Sequence, residues 1–245
     1  MKVAGSVALV TGANRGLGRA YAEELLKRGA KKIYVGARSI ASLSDLLRGG
    51  DERLVPLELD VADPGQVAAA ARLAPDVNLL INNAGFDGKS SAFTTFDLAN
   101  ARKEMEVNYF GLLSLVRAFE PALAAAGGGA VVNVLSMVAL VTLPVSATYS
   151  ASKSAALAVT RSLRAELAAK GTTVMAVMPV QIETEMGRNL PEPRLAPAEV
   201  AADTFDALEA GLNEVFPGQL SKKAAEAFAA DPKAIQARFS TFLPA

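Results

Sequence analysis

The sequence predicts an α/β fold: a single doubly wound domain, residues 1–245, whose mostly parallel sheet has about seven strands with helices on both faces. Three observations carry that expectation. Short apolar runs recur without the alternation of a half-exposed strand, as parallel strands covered on both faces require. Amphipathic or alanine-rich stretches separate them, which is the pattern of a strand–helix alternation. The residues with most chemical character stand just after the runs, where ligands bind in open α/β sheets. With 245 residues, 51% of them hydrophobic, the chain is long enough for one sizeable core.

The first run, residues 6–10, ends at Thr11-Gly12, and amphipathic spacing follows over residues 17–26. Residues 32–36, 54–59 and 78–81 form the next three runs, and residues 130–135 and 173–178 the last two. A helical segment over residues 98–126 stops at Gly127-Gly128-Gly129, a break before a strand rather than a linker. Residues 152–169, rich in alanine, predict a helix that follows a loop containing Pro144. Residues 185–197 hold Gly187, Pro191, Pro193 and Pro197 and predict a loop, part of a substrate-covering segment at about 183–197. The tail predicts a helix over 221–230, a break at Asp231-Pro232 and a short helix to Phe239.

Composition excludes several chemistries. Lys plus Arg and Asp plus Glu both number 25, so no net charge draws the chain to nucleic acid or anionic membrane. Without cysteine there is no disulfide, thiolate nucleophile or zinc–sulfur site. Without histidine the commonest general base and metal ligand are both missing, so acid–base work falls to Tyr, Lys, Asp or Glu and no metal is expected. The longest apolar region, 130–145, contains Asn133, Ser136, Thr142 and Pro144 and is too short and polar to span a bilayer. Lys2 and the apolar residues 3–10 resemble a short signal core, but Gly12 and Arg15 interrupt it; the expected location is cytoplasmic.

After the first strand comes Thr11-Gly12-Ala13-Asn14-Arg15-Gly16-Leu17-Gly18. Gly12 permits a tight turn, Gly16 lets backbone approach a phosphate, Gly18 allows close helix–strand packing, and the helix N-terminus offers N–H groups to an anion. The spacing departs from G-x-G-x-x-G. After the second strand, Gly36-Ala37-Arg38-Ser39 has no acid to grip a ribose. Arg38 and Arg15 instead offer planar cationic forks suited to a 2′-phosphate; the plainer alternative is two surface arginines. Asp60-Val61 and Asn82-Asn83-Ala84-Gly85 follow the third and fourth strands and suit either ligand contact or local turn chemistry. Tyr149 and Lys153 are four apart, on one helix face. A phenol titrates near pH ~10, and a nearby ammonium lowers that value toward useful acid–base range. Alone, such a pair is an ordinary surface feature.

Taken together, Thr11-Gly12-x3-Gly16-x-Gly18, Asn82-Asn83-Ala84-Gly85, Asn108, Ser136 and Tyr149-x3-Lys153 resemble the short-chain dehydrogenase/reductase family in order and spacing, over nearly the whole chain. The resemblance implies a Rossmann-like domain that binds NADP(H) through the glycine turn (Thr11, Gly12, Asn14 to Gly18) and through Ala37 and Arg38. It implies that Asp60 and Val61 flank the adenine and that Asn83, Ala84 and Gly85 border the cofactor. Asn108 would open its helix and hold a water in a proton relay to Lys153. Ser136 would hydrogen-bond the substrate oxygen, Tyr149 would give the proton, and Lys153 would also bond the nicotinamide ribose. Pro179, Ile182 and Thr184 keep the family pattern, whereas Val180 stands where most relatives have glycine. Relatives pair their equivalents of segments 98–126 and 149–169, which implies a homo-oligomer, tetramer or dimer.

Met137, Val138, Leu140, Val141, Val180 and Met186 are candidate pocket walls, mostly apolar, and favour a hydrophobic ketone or aldehyde over a phosphorylated sugar or charged acid. The expected activity is NADPH-dependent reduction of such a small-molecule carbonyl to the alcohol, reversibly. One alternative is an acyl-carrier-protein ketoreductase, which would want a basic patch near the entrance; no dense cluster stands out around 185–197. Another is a non-catalytic NADPH-binding sensor, which has no need of Ser136, Tyr149 and Lys153 together.

Overall fold

The computed structural model describes residues 1–94 and 98–244. Its seven strands are β1 (Val7–Thr11), β2 (Lys32–Ala37), β3 (Leu54–Glu58), β4 (Leu79–Asn82), β5 (Gly129–Val134), β6 (Thr172–Val177) and β7 (Glu214–Val215). They form one sheet in the order β3-β2-β1-β4-β5-β6-β7, with every neighbouring pair parallel. The doubly wound expectation holds. The helices are α1 (Gly16–Lys27), the single turn α2 (Ser44–Leu47), α3 (Pro64–Leu73), α4 (Ala99–Met105), α5 (Leu112–Ala125), α6 (Ala147–Ala168), α7 (Pro197–Glu209), α8 (Gly218–Ala230) and α9 (Pro232–Phe239).

The unbroken apolar strands serve two cores at once. Successive side chains point to opposite faces. Ala8, Val10, Ile33, Val35, Ile81 and Val132 join α1 and α7 on one face. Val7, Leu9, Leu80, Val131 and Val174 meet α3, α5 and α6 on the other. Edge strand β3 is the exception, with Val55, Pro56 and Glu58 partly or fully exposed, and an edge is where a strand proline is tolerated.

Two boundaries differ from expectation. Helix α6 starts at Ala147, before rather than after Tyr149, because its polar first turn finds local partners: the Ser150 hydroxyl donates to the Ser146 carbonyl (2.9 Å) and the Thr148 hydroxyl to that of Ser90 (3.1 Å). The segment 98–126 is not one regular helix, since a π-helical stretch, Glu106–Gly111, separates α4 from α5. A third, small cluster packs Ile235 of α9 and partly buried Phe228 and Phe239 against Met137 and Val141. Among the described residues no helix is long and apolar enough to cross a membrane.

After β3 the chain returns to place β4 on the other side of β1. The crevice at this reversal, beyond the carboxyl ends of β1 and β4, is where the chemistry of the sequence converges.

Candidate active site

The glycine turn is tied to the end of β4. The Thr11 hydroxyl accepts from the backbone N–H groups of Asn83 and Ala84, both at 3.0 Å, and the Asn83 side chain donates to the Thr11 carbonyl at 2.9 Å. Gly12 and Gly16 have φ of 66° and 53°, the left-handed region that glycine enters without strain. At Gly18 any Cβ would run into the Gly12 carbonyl oxygen and the Asn83 amide. Arg15 is the extended N-cap of α1 and supplies no side-chain cap, so the first-turn N–H groups face the crevice uncapped. Left-handed glycines, a helix start without a cap and no room for side chains make a cradle that fits a dinucleotide pyrophosphate.

The two arginines differ. Arg38 is exposed, and among the described residues its guanidinium makes no ion pair or hydrogen bond. Arg15 is ion-paired with Glu185, at the start of the segment 183–197. Glu183 N–H donates to the Leu195 carbonyl at 2.8 Å and Leu195 N–H to that of Gln181 at 3.0 Å, closing this segment at its base. The methyl of Thr184 lies against Gly16. Ile182 forms an isolated parallel bridge with Leu195. Asp60 turns out to be engaged in its own turn, its carboxylate accepting from Ala62 N–H at 3.0 Å. Val61 is buried and borders a small cavity shared with Thr11, Ala84, Asn108 and Lys153. Leu17 and Ala37 are buried, while Asn14 is partly exposed beside Arg15.

Tyr149 stands in the first turn of α6 and Lys153 one turn later, its ammonium 5.7 Å from the phenol ring centre. Lys153 is 4% exposed and donates to the Val134 carbonyl at 2.9 Å. Asn108 sits in the π-helical stretch. Its side chain accepts from Phe86 N–H (2.9 Å) and donates to the Phe86 carbonyl (2.8 Å) and the Ser152 hydroxyl (2.9 Å). The widened helix is what frees this asparagine to serve other segments instead of competing with its own backbone. A Cβ at Gly85 would come into contact with both the Asn108 oxygen and the Lys153 ammonium. Ser136 lies just past β5, its hydroxyl 3.4 Å from the Pro179 carbonyl at the end of β6.

Electrostatics in the free chain run opposite to one expectation. Burial, then the charges of Asp87 and Glu104, raise the Tyr149 pKa rather than lower it. Desolvation of the partly buried ring is the first cause, and the two carboxylates act in the same direction. Lys153 is lowered to about 8 by burial, with Asp87 opposing. The ammonium is therefore mostly charged at neutral pH while the phenol stays protonated.

The pocket walls also need correction. Met137 and Val141 are each 1% exposed and belong to the cluster under the C-terminal helices, so they are packed core rather than open wall. Val180 packs into that cluster and the main core, and its N–H donates to the Ser221 hydroxyl at 3.1 Å. Val138 is buried too, Leu140 is partly so, and Met186 is exposed. Two features escaped the sequence reading. One is a buried polar ladder in which Asn82 donates to Asn133 (2.8 Å) and Asn133 to Thr160 (2.9 Å), joining β4, β5 and α6 beneath the site. Paired asparagines at strand ends carry no signal of their own across 51 residues of sequence. The other is Glu104 of α4, a carboxyl side chain buried beside loop 85–91.

Fold and site together place the chain in the class of dinucleotide-dependent oxidoreductases. Comparison with known proteins narrows the class. Residues 6–195 match the family model described as short chain dehydrogenase. The chain is 34% identical over 229 residues to mouse (Mus musculus) dehydrogenase/reductase SDR family member 7B, covering 83% of this chain and 70% of that one. It is 34% identical over 200 residues to the 2-(R)-hydroxypropyl-CoM dehydrogenase of Xanthobacter autotrophicus, covering 77% and 80%. A short chain dehydrogenase from Burkholderia cenocepacia, solved in complex with NADP, superposes with a TM-score of 0.92 at 48% identity, over 98% of this chain and 99% of that one. The chain belongs to the short-chain dehydrogenase/reductase family.

Proposed function

We propose that the protein is an NADPH-dependent carbonyl reductase that reduces a hydrophobic ketone or aldehyde to the alcohol, reversibly. The observation that carries this reading is the Tyr149–Lys153 pair, with the phenol protonated at neutral pH beside a mostly charged ammonium. A protonated phenol is the form that gives a proton to a carbonyl oxygen, so the reductive direction suits the site as it stands.

The cradle of Thr11, Gly12, Gly16 and Gly18 holds the pyrophosphate, and Arg38 takes the 2′-phosphate. The presence of NADP in the Burkholderia cenocepacia relative supports that cofactor. The bound nicotinamide supplies the hydride. Ser136 hydrogen-bonds the substrate oxygen and stabilises charge that develops there. Tyr149 donates the proton to that oxygen. Lys153 offsets the negative charge left on the phenol, and Asn108, through Phe86 and Ser152, keeps the floor beside Lys153 in place for the resupply of the proton. Segment 183–197 covers the substrate, and its exposed Met186 and Leu190 favour an apolar one. Turnover with a panel of aliphatic, aromatic and charged ketones, followed by NADPH absorbance, tests the reading. Oxidation of NADPH is expected with the apolar members. No turnover with any of them would leave a cofactor-binding protein without this activity.

A further inference from the structure

Four residues before Asn108, near the end of α4, stands a carboxylic acid that the chemistry above does not use. Glu104 is 0% exposed. One of its oxygens accepts from Gly88 N–H at 2.7 Å, and the Thr148 side chain lies beside the carboxyl group but turns its hydroxyl to the Ser90 carbonyl, so among the described residues the second buried oxygen has no well-aligned donor. A buried carboxyl oxygen without a donor is costly, and a merely structural position would be served as well by glutamine or an apolar residue.

The surroundings of this group point to one neighbour. Asn100, one turn earlier, donates to the Gly88 carbonyl at 3.3 Å, so α4 grips Gly88 from both sides. Thr148 of α6 lies against the carboxyl group and bonds the Ser90 carbonyl. Tyr149 is the next residue. Glu104 thus sits where α4, the loop 85–91 and the first turn of α6 meet. The titratable groups that act on it or feel it are Asp87 from the loop and Tyr149 from α6; Lys89 of the loop is exposed, and Lys103 is its neighbour in sequence on α4. Lys103 is turned to the Phe86 ring, 4.6 Å from its centre, and Lys153 to the Val134 carbonyl. Among the described residues no cation forms an ion pair with Glu104, so its charge, when present, acts on the site uncompensated.

We propose that Glu104 is a positioning residue for proton transfer at Tyr149: its buried carboxyl group holds loop 85–91 through Gly88, lies against Thr148 in the first turn of α6, and sets the field in which the Tyr149 proton moves. The proposal rests on the reading of Tyr149 as proton donor. Burial, first of all, holds the Glu104 carboxyl above the ordinary carboxylate range, and Glu104 together with Asp87 raises the phenol. At the alkaline pH where a phenol titrates the carboxyl group is ionised, and a neighbouring negative charge disfavours phenolate. Taking that charge away must move the Tyr149 titration to lower pH.

The test is Glu104→Gln, with Glu104→Met as a second neutral variant of similar length. Tyrosinate absorbance across an alkaline titration, with the Tyr149→Phe signal subtracted, reads the phenol without any need for turnover. The alkaline limb of kcat/KM for carbonyl reduction reads it in the working enzyme. Both are expected to shift down by about one pH unit in either folded variant. A titration that stays where it is in the folded variants overturns the proposal, even where turnover falls uniformly, since a packing role alone would produce that. The absorbance arm stands apart from the functional reading: if Tyr149→Phe keeps its turnover, the donor assignment fails while the field of Glu104 on the phenol is still measured.

Discussion

Lys153 shows what the site demands of a single residue. Its pKa of about 8, against 10.5 for a free lysine, means that the fold disfavours its charged form. The penalty is fully present below about pH 8 and fades as pH rises toward the unfolded value, because there the unfolded chain binds more protons than the native one. At roughly 1.4 kcal/mol per pKa unit, the difference is on the order of 3 kcal/mol at neutral pH. Lys153→Met removes it and loses one hydrogen bond to Val134, worth about 1 kcal/mol. Calorimetry should show Lys153→Met melting some degrees above the unmodified protein at pH 7, with the gap closing toward pH 10, while turnover collapses. A lower melting temperature at pH 7 would show that this lysine is a stabilising core group instead.

The arginines give a second prediction at this scale. Among the described residues no carboxylate is paired with Arg38, whereas Arg15 must leave Glu185 to reach a phosphate. A charge-assisted hydrogen bond of about 1.5–3 kcal/mol corresponds to roughly 10–100-fold in kcat/KM. Arg38→Ser should therefore lower kcat/KM for NADPH by that factor, mainly through KM, with little change for NADH; Arg15→Ser should cost less. Adding Ala37→Asp to Arg38→Ser should carry preference to NADH, since a carboxylate repels the 2′-phosphate and accepts from ribose hydroxyls. Equal kcat/KM for the two cofactors in the unmodified protein would remove Arg38 from the site.

At the scale of elements, the glycine turn depends on contacts to backbone. Thr11 and Asn83 clamp it to the end of β4, and Gly18 carries α1 across the Gly12 carbonyl with no room to spare. Gly18→Ala must push helix and turn apart, at a cost of about 1–3 kcal/mol. A thermal melt should fall accordingly and NADPH titration by fluorescence should weaken in step. Unchanged melting would mean the turn flexes. This element was legible because each of its features is local: a run of apolar residues, then glycines at fixed offsets. The tail was legible for the same reason, Asp231 capping α9 through Lys233 and Ala234 N–H with Pro232 at its start. Two elements were not, and a third only through the resemblance. The two residues of β7 are too few for a period, and only their pairing with Ala176 and Val177 defines them. The π-helical stretch is the opening that the resemblance implied at Asn108, but no local pattern marks it, because it depends on Asn108 finding Phe86 and Ser152 from elsewhere in the chain. The early start of α6 depends on Ser90, 58 residues before Thr148.

Across the whole molecule, the doubly wound parallel sheet and the gathering of Thr11, Asn83, Asn108 and Lys153 beyond its strand ends followed from motifs read in one dimension. The balance of charge there did not, because desolvation is a property of the assembled site; hence the phenol that a lysine was expected to acidify is raised instead. Exposed Leu98 precedes α4 and exposed Phe110 lies between α4 and α5, and we expect this segment to pair with a second copy, making a dimer or tetramer. Light scattering at micromolar concentration should give a multiple of 25.4 kDa, and a monomer would refute it. The central claim, that Tyr149 is the proton donor, is tested most directly by Tyr149→Phe, with carbonyl reduction and NADPH affinity measured on the same folded sample. The account predicts a loss of turnover of at least about 10²–10⁴-fold with cofactor affinity and melting nearly unchanged. Turnover above about a tenth of the unmodified rate would contradict it, because no general acid is lost so cheaply.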